Sequence, residues 1–156
     1  MRQHLRKAHD VAEYFQFQRA IVGTLPCSFV TQSLRSKEPS KPIDLENAKQ
    51  QHSIYVSELK KLIPVVVQIP PDERFPDSVY VEDPVVVLGG TALIAQMKPD
   101  TRAREFSALR PVLEEMNLRI VEMREPGAYL DGGDVLFTGR EFLVGWSERT
   151  NSVRRF

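Results

Sequence analysis

Two segments of the chain, residues 82–94 and residues 133–144, repeat one pattern. In each, an acidic residue leads into an apolar run, a turn containing glycine follows, and a second apolar run returns. Short apolar runs on either side of such a turn predict β-hairpins. The step from Asp83 to Asp134 is about 50 residues, a plausible period for a repeated supersecondary unit. The chain is therefore expected to fold from similar units packed side by side.

A leading unit precedes the first hairpin. Residues 19–25 predict a strand that ends at Pro26, and residues 33–42 predict a polar loop. Asp44 is placed to cap a helix, and residues 65–69 predict a buried strand after it. The apolar face of this helix is expected to comprise Leu45, Ala48, Tyr55, Leu59 and Leu62.

The chain between the two hairpins completes a second unit. Residues 101–116 predict a helix that Pro111 interrupts, and residues 119–123 predict a strand. The apolar stripe of this helix comprises Phe106, Leu109, Leu113 and Met116. A third unit stops at its hairpin, so the sequence predicts an α/β fold of repeated ββαβ units that is incomplete.

Composition narrows the classes of function. The 156 residues suffice for one domain with a buried core, and 42% are apolar. The 21 basic and 21 acidic residues balance, so no charge excess favours nucleic acid or an anionic membrane as a partner. The apolar runs are strand-sized, well short of the roughly 18 residues of a membrane span. The single cysteine, Cys27, excludes an internal disulfide framework and favours a reducing, cytoplasmic location.

The chain divides into three parts. Residues 1–18 are interpreted as an N-terminal extension with a short helix, and their basic start lacks the apolar region of a secretory signal. Residues 19–151 form the domain, and residues 152–156 form a divergent tail.

Four carboxylates, Asp77, Glu82, Asp83 and Asp131, precede strands or lie at their entrances. Residues 78–81 are apolar and β-rich, so an extended chain is expected to turn Glu82 and Asp83 to opposite faces. Several carboxylates around one pocket suit a guanidinium, whose rigid fork of N–H donors matches paired oxygens.

Arg102 and Arg149 follow the two equivalent hairpins and suit the carboxylate end of the same ligand. The simpler interpretation is that each aspartate is a turn or cap residue and that both arginines lie on the surface. Repetition of the placement favours the binding site, since turn chemistry alone does not explain it.

Residues 75–83 and 120–151 closely resemble dimethylarginine dimethylaminohydrolases, and the resemblance covers about residues 19–151. It implies the N-terminal part of a five-unit α/β propeller of the guanidine-modifying pentein superfamily. These hydrolases act on C–N bonds of linear amidines. The implied reaction converts asymmetric dimethylarginine or monomethylarginine into citrulline and a methylamine, and thereby regulates nitric oxide synthesis.

The same resemblance implies how the substrate is bound. Leu34 would lie on a flexible lid loop over the substrate. Asp77 and Glu82 would bind the guanidinium, and Asp83 would lie beside them in the same pocket. No cofactor and no metal are expected.

The resemblance also implies roles at the other end of the substrate and in catalysis. Arg102 and Arg149 would hold the substrate carboxylate, and Asp131 would orient a catalytic histidine. A cysteine thiolate would attack the guanidinium carbon to give a thiouronium intermediate, while the histidine would move protons.

The family's histidine and cysteine lie C-terminal to the matched region. His4, His9 and His52 do not match that histidine, and Cys27 is interpreted as a small packed residue. We therefore expect a truncated family member that is inactive alone, with open strand edges available for self-association. Two alternatives stay open, a non-catalytic module that pairs with a full-length relative and a fragment without an independent role. The preferred methylarginine and the oligomeric state also stay open.

Overall fold

The computed structural model describes residues 16–151, which form three small sheets flanked by helices. The predictions for residues 1–15 of the extension and for the tail at residues 152–156 lie outside the described residues. In chain order the elements are β1 (Arg19–Gly23), α1 (Phe29–Gln32), α2 (Leu45–Leu62), β2 (Val65–Ile69), β3 (Val85–Leu88), β4 (Thr91–Ile94), α3 (Phe106–Glu115), β5 (Arg119–Glu122), a 3-10 turn (Gly132–Asp134), β6 (Val135–Phe137) and β7 (Phe142–Val144).

The leading unit is a parallel pair, in which β1 lies alongside β2 from Arg19 opposite Val65 onward and α2 forms the crossover. Asp44 caps α2 as predicted, because its carboxylate accepts a hydrogen bond from Asn47 N at 3.0 Å. The predicted apolar face is wrong in part. Val56 is the buried residue of α2, whereas Tyr55 and Leu62 are exposed, because only two strands lie beneath this helix in the described residues.

The second unit confirms the predicted order of strand, strand, helix and strand. β3 and β4 pair antiparallel around Gly89, whose φ of 55° favours glycine, and β4 pairs parallel with β5. The α3 helix packs on this sheet, and the main apolar cluster comprises Ile69, Val85, Ala92, Ile94, Leu109 and Leu113.

The predicted start of α3 is wrong. The helix begins at Phe106 instead of residue 101, because successive turns occupy the preceding residues. Arg102 N donates to Pro99 O at 2.9 Å, and Glu105 N donates to Arg102 O at 3.0 Å. Pro111 lies inside the helix, which continues through it to Glu115, so the predicted interruption is wrong.

Residues 78–81 are not extended, which corrects a second prediction. Three turns follow one another: Ser78 N donates to Phe75 O, Tyr80 N to Asp77 O and Asp83 N to Tyr80 O, at 3.0 to 3.2 Å. These local bonds replace the strand pairing that the β-rich composition suggested. A Cβ at Gly23 would lie 2.5 Å from Ser78 O, so the turns pack directly against the end of β1.

The second hairpin is present where the repeat predicts it. β6 and β7 pair antiparallel from Val135 opposite Val144, and the Phe137 and Phe142 rings lie 5.0 Å apart across the pair. No third strand joins this pair within residues 16–151. Over the same span, the structure contains no helix that combines the length and the apolar character needed to cross a membrane.

Candidate functional site

Two of the predicted carboxylates, Asp83 and Asp131, meet where the turns of residues 75–83 contact the 3-10 turn after Asp131. Gly132 N donates to Asp83 O at 2.7 Å, and a Cβ at Gly132 would lie only 2.0 Å from Glu82 O. Only glycine fits this contact. Asp83 Oδ1 and Asp131 Oδ1 both lie 3.1 Å from the position that a Cβ would take at Gly133, so the two carboxylates are neighbours.

Asp77 is the most deeply placed carboxylate of the first turn segment, with 4% of its surface exposed. Its oxygens accept hydrogen bonds from Leu34 N at 3.1 and 3.2 Å. Within residues 16–151 no cationic side chain forms an ion pair with it. A buried carboxylate is costly unless a positive partner or sufficient hydrogen bonds compensate it, so this position favours a cationic ligand.

The segment that carries Leu34 is held over Asp77 from two directions. Glu73 accepts hydrogen bonds from Cys27 N and Ser28 N, each at 2.8 Å, and these bonds lower the pKa of Glu73. Arg35 donates to Val30 O at the other end. Cys27 is exposed, which corrects its interpretation as a packed residue, and its backbone N–H makes the contact. Sequence analysis missed Glu73, whose acidic side chain in a polar turn gave no distinct signal.

Glu82 and Asp83 have different environments, as predicted, although turns separate them instead of an extended strand. Glu82 is exposed, and its carboxylate makes no hydrogen bond or ion pair with the described part of the chain. Asp83 is mostly buried and binds Arg102 at 2.7 Å. Burial, followed by the charges of Asp77, Asp83 and Glu82, raises the pKa of Tyr80. The charge of Arg102 acts in the opposite direction on the same hydroxyl.

Arg102 is 4% exposed and lies among carboxylates. Its Nε and one terminal nitrogen bind Glu105 at 2.7 to 3.0 Å, the other terminal nitrogen binds Asp83, and a longer bond of 3.4 Å reaches Asp77 O. Of the five N–H groups of a guanidinium, these contacts leave one without a partner. Burial disfavours the charged form of Arg102, but the hydrogen bonds that it donates to Glu105 and Asp83 outweigh this effect and raise its pKa.

Glu105 was missed in the sequence, although its spacing of three residues from Arg102 was a usable signal. Successive turns place both side chains on one side of the chain. Burial raises the pKa of Glu105, and the bonds from Arg102 act in the opposite direction.

Asp131 is fully buried, while the Arg149 side chain that contacts it is 56% exposed. Asp131 Oδ1 accepts from Gly133 N at 2.9 Å. Arg149 Nε lies 3.0 Å from Oδ2 but is not aligned for a hydrogen bond, so Oδ2 accepts none from the described residues. Burial raises the pKa of Asp131, and the charge of Asp83 adds to this effect.

The residues after Arg149 fix it beside Asp131. The buried hydroxyl of Thr150 accepts from Asp131 N at 3.0 Å and donates to Asp134 at 2.6 Å. Asn151 accepts from Tyr129 N at 2.8 Å and donates to Gly127 O at 3.0 Å. The anchoring role of Thr150 was not identified from the sequence.

A groove of about 940 Å³ lies beside the carboxylates, and β1, α2, β3 and α3 contribute to its walls. Glu82 lines this groove, whereas Asp77, Asp83 and Asp131 do not. His52 also lines it, on α2 and with its ring centroid 6.1 Å from that of Tyr55, and burial lowers the pKa of His52. Within residues 16–151, no group of three or more His, Cys, Asp or Glu residues is arranged to hold a metal ion.

Comparison with known proteins identifies relatives of this arrangement. A protein of Bos taurus named putative hydrolase DDAH2 is 41% identical over 110 residues, covering 70% of this chain and 39% of the relative. The N(G),N(G)-dimethylarginine dimethylaminohydrolase of Pseudomonas aeruginosa is 33% identical over 132 residues, covering 85% and 52%. The chain is related to the dimethylarginine dimethylaminohydrolases.

A solved structure supports this relationship. A mutant of the Pseudomonas aeruginosa dimethylarginine dimethylaminohydrolase, complexed with citrulline, superposes with a TM-score of 0.81 and 31% identity, covering 88% of this chain and 53% of that one. The fold is an incomplete α/β propeller of the pentein type, as the sequence predicts. The chain spans about half the length of the curated dimethylarginine dimethylaminohydrolases it matches. No protein-family model matches it.

Proposed function

We propose that this chain provides the substrate-binding half of a dimethylarginine dimethylaminohydrolase site. The observation that carries the proposal is Asp77, a buried carboxylate that no side-chain cation compensates in the described residues. Asp83 and Glu82 lie in the same turn segment, so the guanidinium of a methylated arginine meets several carboxylates there. The substrate is a small molecule, and the reaction proposed for the complete site yields citrulline and a methylamine.

The other end of the substrate is assigned to the two arginines. Arg149 has both terminal nitrogens free of hydrogen bonds within residues 16–151, and Arg102 has one N–H free. Both groups suit the substrate carboxylate, and Leu34 closes the site from the segment above Asp77.

Asp131 is assigned to orient a histidine. Its Oδ2 accepts no hydrogen bond from the described residues and is buried, which suits an imidazole N–H as the missing donor. Cys27 lies in the turn before α1 and His52 on α2, and no hydrogen bond joins the two in the described part of the chain. We therefore propose that these 156 residues bind methylarginine without turning it over, since covalent catalysis needs nucleophile and base together.

Calorimetric titration with asymmetric dimethylarginine tests the binding site. Asp77→Ala and Glu82→Ala are each expected to weaken binding about tenfold or more, whereas Glu115→Ala on the exposed face of α3 leaves it unchanged. Absence of binding to the unsubstituted chain overturns the proposal. Equal affinity in the unsubstituted chain and both site variants does the same.

A citrulline assay tests the statement about turnover. The purified chain is expected to release no citrulline from dimethylarginine above a heat-inactivated control. Release above that control would show that the chain completes the reaction with its own residues. The proposal for the complete enzyme also includes a cytoplasmic location. It includes a contribution to nitric oxide regulation, which depends on this reaction.

A second candidate function is association with a relative or with another copy of the chain. Leu136 and Leu143 face each other across the β6–β7 pair and are both exposed, as is Trp146 just after it. Exposed apolar side chains on a two-stranded sheet favour further pairing. Sedimentation equilibrium at several concentrations tests this candidate: Leu143→Lys is expected to abolish association, and a chain that is monomeric throughout contradicts it.

A further inference from the structure

Arg102 and Glu105 form a buried ion pair whose geometry fixes the orientation of the guanidinium. The carboxylate of Glu105 accepts hydrogen bonds from Nε and from one terminal nitrogen of Arg102, at 2.7 to 3.0 Å. These donors lie along one edge of the guanidinium. The opposite terminal nitrogen then points to Asp83. This bidentate geometry is directional, since the planar fork of arginine matches the two oxygens of one carboxylate.

The local chain explains why this carboxylate is at Glu105. Turns at residues 99–105 bring Arg102 and Glu105 to the same side of the backbone, immediately before α3 begins. Glu105 is almost fully buried and contributes no capping hydrogen bond to α3. Its side chain is therefore committed to Arg102 and not to the helix.

Glu105 also determines what Asp83 can do. Because Glu105 accepts hydrogen bonds along the Nε edge of Arg102, Asp83 contacts this arginine through Oδ2 alone, at the other terminal nitrogen. Asp83 Oδ1 stays on the side of Gly133 and Asp131, away from this bond. Without Glu105, Asp83 would be the nearest carboxylate to Arg102 and would compete for the edge that Glu105 now holds.

We infer that Glu105 is a positioning residue: by holding Nε and one terminal nitrogen of Arg102, it leaves the remaining N–H, on the terminal nitrogen that binds Asp83, as the donor for the ligand carboxylate. This inference rests on the proposed function. It assigns selectivity for the amino-acid end of the ligand to a side chain that does not touch the ligand.

The test compares two ligands on the Glu105→Gln variant, which keeps the side-chain volume and removes the charge. The ligands are asymmetric dimethylarginine and N,N-dimethylguanidine, which has no carboxylate. We expect affinity for dimethylarginine to fall about tenfold and affinity for dimethylguanidine to change less than about twofold. Glu115→Gln, at an exposed glutamate on α3, is the matched control and is expected to change neither affinity.

The outcomes separate this inference from the proposed function. A chain without substitutions that binds neither ligand overturns the proposed function and the inference with it. A chain that binds both, with a Glu105→Gln variant that loses both equally or neither, overturns the inference alone.

If Glu105→Gln does not fold, the apolar double variant Arg102→Met, Glu105→Leu replaces it, because apolar replacement of a buried ion pair is commonly tolerated. That variant is expected to show a preference for dimethylarginine about tenfold smaller than that of the unsubstituted chain, the remainder coming from Arg149, and an unchanged preference overturns the inference.

Discussion

Arg102 and Arg149 occupy equivalent places after the two repeated hairpins, yet their environments differ. Arg102 is buried, and three groups hold its guanidinium: Glu105, Asp83 and the backbone of Asp77. Arg149 is more than half exposed and contacts one carboxylate, that of Asp131.

The cause of the difference is the element that follows each hairpin. The turns before α3 bury Arg102 together with Glu105, whereas no helix follows β7 within residues 16–151. A repeated sequence position thus determines where an arginine lies, and burial determines how many of its N–H groups remain for a ligand. Arg102 chiefly organises the carboxylates, while Arg149 has more donors free for the substrate carboxylate.

Removing each arginine gives the largest expected contrast. Arg102→Met leaves Glu105 and Asp83 buried without their cation, so it is expected to lower the free energy of unfolding by about 3 to 5 kcal/mol. Arg149→Met removes an exposed partner and is expected to lower it by about 1 kcal/mol or less. Urea denaturation measures both. Similar losses for the two variants would show that the arginines are equivalent after all.

The contact that joins the two regions predicts the next effect. In Gly132→Ala the new Cβ would meet Glu82 O at 2.0 Å, so the bond from Gly132 N to Asp83 O must lengthen or break. We expect a loss of about 3 kcal/mol in the free energy of unfolding. Gly90→Ala is the control, since a Cβ there meets nothing within 4 Å. If both variants are equally stable, the two regions are not in close contact at this position.

Two aspartates around the 3-10 turn predict opposite responses to pH. The pKa of Asp131 is raised by burial and then by Asp83, so its contribution to stability is present below the unfolded pKa and is lost as the pH rises through the folded one. The pKa of Asp134 is lowered by hydrogen bonds from Ser147 and Thr150, so its contribution is present above the unfolded pKa and is lost as the pH falls through the folded one.

Thermal unfolding of the two asparagine variants checks these signs. From about pH 4 to about pH 7, the Tm of Asp131→Asn minus that of the unsubstituted chain is expected to increase. The corresponding difference for Asp134→Asn is expected to decrease as the pH rises from about 2 to about 5, because the folded pKa of Asp134 lies below the unfolded one. Parallel trends in the two differences would contradict the assigned environments.

The sequence predicts the hairpins and the strand order well, because alternating apolar runs and turn glycines are local signals. It fails at residues 78–81 and at the start of α3, where turn hydrogen bonds outweigh strand and helix propensity. It also misplaces the buried face of α2, since burial depends on how many strands lie beneath a helix and not on periodicity alone.

For the candidate site, the sequence identifies the residue types but not their partners. Asp83 and Asp131 come together as expected, whereas Glu105, Glu73 and Thr150 were missed. Each missed residue acts through hydrogen bonds to a specific partner, such as those between Glu105 and the buried Arg102. No repeated sequence pattern indicates these partners. The pairing of four of the five N–H groups of Arg102 could not be predicted, because it depends on three groups meeting at one guanidinium.

The central claim is that the carboxylates recognise the positive charge of a guanidinium. Citrulline carries the same amino-acid end as arginine with a neutral urea group in place of the guanidinium, so the pair isolates that charge. Calorimetric titration at about pH 7 is expected to show asymmetric dimethylarginine binding about tenfold or more tightly than citrulline. Equal affinities for the two ligands would contradict the account.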